Sequence, residues 1–464
     1  MKVRISFLFL FSFLILISGC KRTNASEDYD FPEIREKGEI TALTLSGSMS
    51  YFMYKGESMG YEYELLKDFV DANDLKLNIT IVPNVTRLQE MLIEGEGDLV
   101  AFNLPITNEG KEDLTYCGRE VINEQVLIQM TNGDNPVLKD VTELIGKEVW
   151  VMHDSKYHKR LLNLNEELGG GVIIKIIEQD SVSAEDLIAM VSAGEIPYTL
   201  SDTELARLNK TYYRNINISL KVSHPQRSSW AVRKNMPQLA ERINQWFAEN
   251  ENTPQYRSIT KRYFEMSKLP GEGPAPLLGS NRISPYDNLF KKYAAEINWD
   301  WRLLASIAFQ ESKFHTDRVS WAGAAGLMGL MPQTARTFGV SPDKINDPEA
   351  NIRGATELLK RLNRSFSSIE NDEERIPFLL ASFNAGSGHI YDAQALAEKY
   401  GKNPAVWKDN VEEFIKLKSL PEYYNDPVCK QGYFRGKETL NYVNHVVERW
   451  RYYQEQVEDK EVSL

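Results

Sequence analysis

Residues 301–335 read WRLLASIAFQESKFHTDRVSWAGAAGLMGLMPQTA. Leu303, Leu304, Ile307 and Ala308 recur at helical spacing, so the stretch opens on an amphipathic helix with one buried face. Glu311 continues that face, four residues after Ile307 and seven after Leu304. A carboxyl set there loses hydration, and desolvation favours its neutral form. An acid that keeps its proton near neutral pH suits protonation of a glycosidic oxygen. The same position also suits a glutamate at a helix end that pairs with a base or reaches solvent. Next, VSWAGAAGLMGLMP is dense in Gly and Ala, a composition that lets backbone approach a ligand, or another element, closely. Pro332 suits the first turn of a second helix.

Outward from this stretch the signals stay helical: NIRGATELLKRLNRSF, RIPFLLASFNAG, VWKDNVEEFIKL and TLNYVNHVVERWRYY. Residues 288–464 are therefore predicted to form a mainly α module. Before it, LPGEGPAPLLGSNRISPYD (269–287) breaks every period and reads as a linker. Residues 31–268 alternate strands and helices. KLNITIVP, KEVWVM and GVIIKII read as strands and QLAERINQWFAEN as a helix. YEYELLKDFVDAN reads as a helix with Tyr63, Leu66, Phe69 and Val70 on one face. The alternation predicts α/β architecture. At 464 residues the chain is long enough for several cores.

Hydrophobic residues make up 42% and charged residues 26%, an ordinary globular composition. The net charge of −12 argues against nucleic acid as the main partner. A carbohydrate stays open, since sugars are held by hydrogen bonds and aromatic stacking. Cys117 and Cys429 are far apart and read as buried thiols rather than a disulfide framework. His315, His389 and His445 lack ligand spacing, so no metal and no cofactor is predicted.

At the N-terminus, Lys2 and Arg4 precede an apolar run from Ile5 to Ile17. The run is shorter than the ~20 residues that span a bilayer, and reads as a signal peptide, residues 1–20. Its end, Ile-Ser-Gly-Cys, resembles a bacterial lipobox. That resemblance implies cleavage before Cys20 and an acylated thiol held in a lipid bilayer. Residues 21–30 then form a tether. Lys21 is not an inner-membrane retention Asp, which points to the outer membrane, inner leaflet, facing the periplasm. The plainer alternative is a signal peptide with a chance cysteine.

The string FQESKFHTDRVSWAGAAGLMGLMPQTA resembles the soluble lytic transglycosylase superfamily, relatives of goose-type lysozyme. LLASFNAG is similar to that family's Ala-Tyr-Asn-Ala-Gly motif, and KETLNYVNHVV to its Glu-Thr-x-x-Tyr-Val segment. The resemblance implies a lysozyme-like helical domain acting on peptidoglycan glycan strands. It implies Glu311 as catalytic acid and base, and Tyr442 as the hydroxyl that supports it. Ser312, Ser320, Met328 and Asn384 fall at substrate-binding positions. The family's Gly-Leu-Met-Gln departs here to Gly329, which removes an amide near the substrate. Asp317, in the loop after the Glu helix, reads as a turn or cap rather than a second catalytic carboxylate.

Within 31–268, GYEYELLKDFVDANDLKLNITIVP, LIEGEGDLVAFNLPIT and GEIPYTLSDTELA resemble the family-3 periplasmic solute-binding proteins. This implies two lobes around a small amino-acid or muropeptide ligand. Asp202 falls where that family pairs the ligand ammonium, and Ser155 near the ligand carboxylate. The expected arginine clamp is missing, with Gly110 and then Lys111 in its place, and Lys lacks the planar fork of Arg. Plain readings are a helix N-cap for Asp202 and a loop residue for Ser155. The combination resembles a modular, membrane-bound class of lytic transglycosylases. Coupling between the modules is expected to pass through 269–287. Two other readings stay open: a non-catalytic peptidoglycan- or solute-binding sensor, and a hydrolase that differs in its product.

Overall fold

The computed structural model describes residues 29–133, 135–177, 182–266, 268 and 282–457. Cys20 and most of the 269–287 segment lie outside them. The strands of the N-terminal module are β1 (Glu39–Leu45), β2 (Phe52–Tyr54), β3 (Glu57–Met59), β4 (Lys76–Val82), β5 (Leu99–Pro105), β6 (Leu114–Asn123), β7 (Gln125–Met130), β8 (Glu148–Met152), β9 (Ile173–Ile177), β10 (Tyr198–Asp202), β11 (Ile216–Asn217) and β12 (Gln226–Arg233).

They build two five-stranded sheets, ordered β4-β1-β5-β12-β6 and β11-β7-β10-β8-β9. In the first, β1 runs parallel to β4 and β5, and β12 returns antiparallel between β5 and β6. The chain leaves the first sheet at Glu124, between β6 and β7, and comes back before β12. Two crossings between two sheets make two lobes. The central strands of the first sheet are buried on both faces: Leu43, Val100 and Ala231 pack one side, and Ile40, Ala42, Leu99 and Trp230 the other. Parallel strands covered in this way are apolar with little alternation.

The C-terminal domain is helical, with long elements at Trp301–Ser312, Pro348–Ser365, Asp372–Ala385, Ser387–Lys399 and Gly436–Gln456. The short helix Pro332–Thr337 starts on the expected proline. One apolar cluster runs through the domain and includes Leu304, Ile307, Leu359, Phe378 and Val446.

Three expectations need adjustment. Helix Tyr61–Asp71 buries Tyr61, Glu62, Leu65, Leu66, Phe69 and Val70, so its inner stripe takes in Tyr61 and not Tyr63. The proposed tether ends early, because Asp30 is buried and accepts the backbone N–H groups of Gln238 (2.8 Å) and Leu239 (2.9 Å). The linker also ends early, because Ile283 packs in the helical core and Ser284 bonds Asp287.

Two features bring the modules together. Strands β2 and β3 form a separate hairpin whose turn is Lys55-Gly56, with φ of 49° and 79°. Two positive φ values in a two-residue loop match the twist of the flanking strands. In addition, Trp321, Ala322, Ala324, Met331 and Tyr433 of the helical domain share one apolar cluster with Phe52, Met59, Tyr61 and Tyr263 of the first lobe. The modules are packed on each other, not merely strung together.

Candidate active site

Glu311 lies one residue before the end of helix Trp301–Ser312. Asp300 caps the start of that helix, and Lys313, at φ 54°, ends it. The helix lies along Gly436–Gln456. Ser306 Oγ donates to the Val446 carbonyl at 2.7 Å, and Arg449 donates to Gln310 Oε1 at 2.9 Å. This register sets Tyr442 within electrostatic reach of Glu311. Burial first, and the Glu311 charge second, push the Tyr442 hydroxyl well above the usual phenol range. That hydroxyl is buried and faces Glu311.

The Gly/Ala-rich loop folds against the acid. Ser320 N donates to Ala324 O (2.8 Å), Ala324 N donates to Ser320 Oγ (3.0 Å), and Ala325 pairs with Leu330 (2.9 and 3.1 Å). Gly329 closes this turn at φ 58°, and a Cβ built there would stand 2.3 Å from Glu311 Oε2. No larger residue fits while Glu311 keeps this seat. Asn384 is tied to the Tyr442 helix, its Oδ1 accepting from Thr439 Oγ1 at 2.7 Å. Ser312 and Met328 are both fully buried; Ser312 Oγ donates to Ala308 O at 3.0 Å. In this conformation they support the site from within the domain and do not line it. Asp317 is exposed.

The acid has a partner that helical spacing could not show. Lys55, at the tip of the β2–β3 hairpin, donates to both Glu311 carboxylate oxygens at 3.0 Å and to the Gly329 carbonyl at 3.2 Å. Its ammonium also lies 5.6 Å from the Phe383 ring centroid. The Lys55 and Glu311 side chains are only 6% and 10% exposed. Further contacts hold the hairpin. His389 Nε2 lies 3.1 Å from the Met53 carbonyl, and Gln333 N donates to Glu57 Oε1 at 3.3 Å. Lys418 Nζ donates to His389 Nδ1 (3.2 Å) and Asp392 (2.5 Å), which leaves the ring proton on Nε2, facing Met53. Burial, then Lys418, hold the His389 pKa well below its ordinary value, so the ring is neutral. The modules thus touch at the acid itself, away from the 269–287 segment.

Between the lobes lies a cavity of about 780 Å³, walled on one side by Tyr424 and Tyr433 of the helical domain. Asp202 lines it and forms an ion pair with Lys156. Ser155 caps helix Lys156–Glu167, accepting from His158 N at 3.1 Å and donating to Met152 O at 2.7 Å. Lys111 does not line the cavity. It sits on the short helix Gly110–Asp113, is exposed, and lines a separate, smaller pocket beside Arg227.

Several other residues emerge only in three dimensions. Glu185, on second-lobe helix Ala184–Ala193, accepts from Ser48 Oγ of the first lobe at 2.5 Å. It also accepts from the Tyr433 hydroxyl and pairs with Arg435 at 3.1 Å. Arg435 directly precedes the helix that carries Tyr442. One carboxylate therefore joins both lobes to the site helix. A Lys-Gly turn inside FMYKGESM was the only sequence signal for the hairpin, and nothing local says what its lysine meets.

Two family models match: Transglycosylase SLT domain over residues 288–406, and Bacterial extracellular solute-binding proteins, family 3, over 44–266. The chain is 30% identical over 418 residues to membrane-bound lytic murein transglycosylase F of Desulfosudis oleivorans, covering 89% of this chain and 90% of that one. It is 30% identical over 441 residues to the protein of the same name from Shewanella woodyi, covering 93% and 88%. Among solved structures, an ancestral cationic amino acid solute binding protein covers 50% of this chain and 99% of its own, at 17% identity and a TM-score of 0.44.

Proposed function

Because this chain belongs to the family of the membrane-bound lytic murein transglycosylase F proteins, we propose that it cuts peptidoglycan strands with Glu311 as acid and then base. The bond is the β-1,4 link from N-acetylmuramic acid to N-acetylglucosamine. The observation that carries this reading is the seat of Glu311: a buried carboxyl against the Gly329 backbone, with Tyr442 at hand.

The steps follow from having one acid. Glu311 gives its proton to the bridging oxygen, and the C1–O bond breaks toward that oxygen. The muramoyl N-acetyl carbonyl shares the positive charge at C1. The Glu311 carboxylate then takes the proton of the muramoyl 6-hydroxyl, whose oxygen closes on C1. The product is a 1,6-anhydromuramoyl end, and no water is consumed. Ser320 and Asn384 contact the sugars, while Ser312 and Met328 set the shape of the site from behind.

With Lys55 on both Glu311 oxygens, the described conformation is closed to substrate. The two-lobed module acts as a gate: a small amino-acid or muropeptide ligand that binds better when the hairpin is withdrawn shifts the population toward the open enzyme. Glu185 and Arg435 supply a contact path from the cleft to the Tyr442 helix. The protein is held at the membrane by acylated Cys20, on the periplasmic face of the outer membrane. No helix among the described residues is long and apolar enough to cross a membrane.

Digestion of purified sacculi, with mass analysis of the fragments, tests the chemistry. The wild-type protein should yield anhydromuramoyl ends, and Glu311→Gln should lose nearly all cleavage while keeping its fold. Ends carrying oxygen from labelled water indicate a hydrolase instead, and near-normal turnover by the variant removes Glu311 from its role.

A further inference from the structure

The charges around the cleft between the lobes do not balance evenly. Asp202 is paired with Lys156, Glu124 with Lys221 at 2.7 Å, and Glu185 with Arg435 at 3.1 Å. Arg227, the other cation lining the cleft, is paired with Glu120. Three lining carboxyls have no ion pair among the described residues: Glu422, which is exposed, and Glu62 and Glu204, which are joined through a neutral group. Asn103 Nδ2 donates to Glu62 Oε1 at 2.8 Å and to Glu204 Oε2 at 3.3 Å. The other Glu62 oxygen accepts from Trp230 Nε1 at 2.6 Å. Glu62 is 4% exposed. Arg119 attracts both carboxyls and Arg207 attracts Glu204, but Arg119 donates its hydrogen bonds to the hydroxyls of Tyr61 (3.4 Å) and Tyr256 (3.2 Å) and Arg207 stacks on Phe264.

Two carboxyls in a shared, poorly hydrated floor repel unless something positive lies between them. A proton can serve: burial, then the Glu204 charge, push Glu62 up to about 8. A ligand cation would serve better, because it adds hydrogen bonds to charged acceptors. The walls suit an aliphatic stem, with Met49, Phe102, Val182 and Leu205 around the cavity. Asn123 and Gln125 also line the cavity, and their buried side-chain oxygens have no hydrogen-bond partner among the described residues. Nothing equivalent awaits an anion, since both cleft cations are engaged and Lys111 lies elsewhere.

We propose that the cleft binds a compound with a primary ammonium at the end of an aliphatic chain, seated between Glu62 and Glu204. The proposal rests on reading the two-lobed module as a ligand-binding one, and it moves amine recognition from Asp202 to the Glu62–Glu204 pair.

The test is titration calorimetry of the full-length protein with three five-carbon probes: cadaverine (cationic), 1,5-pentanediol (neutral) and glutarate (anionic), with L-lysine as a fourth. Cadaverine and lysine should bind, at least tenfold more tightly than the diol, and glutarate should give no heat. Glu204→Gln, which keeps shape and loses charge, should weaken cadaverine at least tenfold. Glu62→Gln should do the same in protein whose melting shows it folded. The proposal is overturned if cadaverine does not bind, if the diol or glutarate matches it, or if Glu204→Gln leaves its affinity unchanged. Cleavage of sacculi, measured in parallel, separates this from the gate. Amine binding that leaves cleavage unchanged sinks the gate and keeps the site. Stimulation by a ligand without an amine keeps the gate and sinks the site.

Discussion

The Lys55 ammonium stands 3.0 Å from each carboxylate oxygen of Glu311, although 256 residues separate the two in the chain. The pair is almost out of water, at 6% and 10% side-chain exposure. Removing one member of such a pair strands the other and typically costs ~3–5 kcal/mol. Lys55→Met should therefore disfavour the closed conformation and raise ligand-free cleavage of sacculi at least tenfold. An unchanged basal rate would mean that the hairpin is no gate.

Gly329 makes the seat of Glu311 possible. A methyl group there would meet Oε2 at 2.3 Å, and φ of 58° is costly for any residue with a Cβ. Gly329→Ala should push the carboxyl out of place and lower kcat at least tenfold. The comparison belongs in the Lys55→Met background, where the latch no longer contributes. Equal rates with and without the methyl would show that the acid works from another position.

Glu62 ties stability to pH. Its carboxyl titrates at about 8 in the fold against an ordinary 4.5, chiefly through burial. Between those values the folded protein holds a proton that the unfolded chain releases, so stability falls as pH rises through the window. The slope is up to ~1.4 kcal/mol per pH unit for one proton. Denaturation between pH 5 and 8 should show a shallower decline for Glu62→Gln than for wild type. Parallel curves would mean that Glu62 is ionised throughout.

Anchoring is tested separately. Cys20→Ala should abolish incorporation of a labelled fatty acid and release the protein from the membrane fraction. Label that persists on the variant refutes lipidation at Cys20.

Much of the site was legible because helices are local. Leu304 and Ile307 share a face through a spacing written in the chain and both are buried, but ten of the twelve residues of helix Trp301–Ser312 are buried, so packing covers it on every side rather than on the one face expected. The strands KLNITIVP and KEVWVM, and the proline that starts Pro332–Thr337, were legible for the same reason. That Lys111 stays out of the cavity lining was not legible, because an absent arginine says nothing about where its neighbour points.

The sequence by itself determined two modules, α/β then helical, and the position of one acid on a buried helical face, because periodicity, punctuation and motif spacing are properties of neighbouring residues. Only the tertiary structure decided what that acid meets. Lys55 at a hairpin tip, Gly329 at positive φ, Glu185 between two lobes and the helical domain, and Glu62 facing Glu204 are pairings between distant segments. Their strength depends on shared exclusion from water, and exclusion from water belongs to the packed whole rather than to any stretch of the chain.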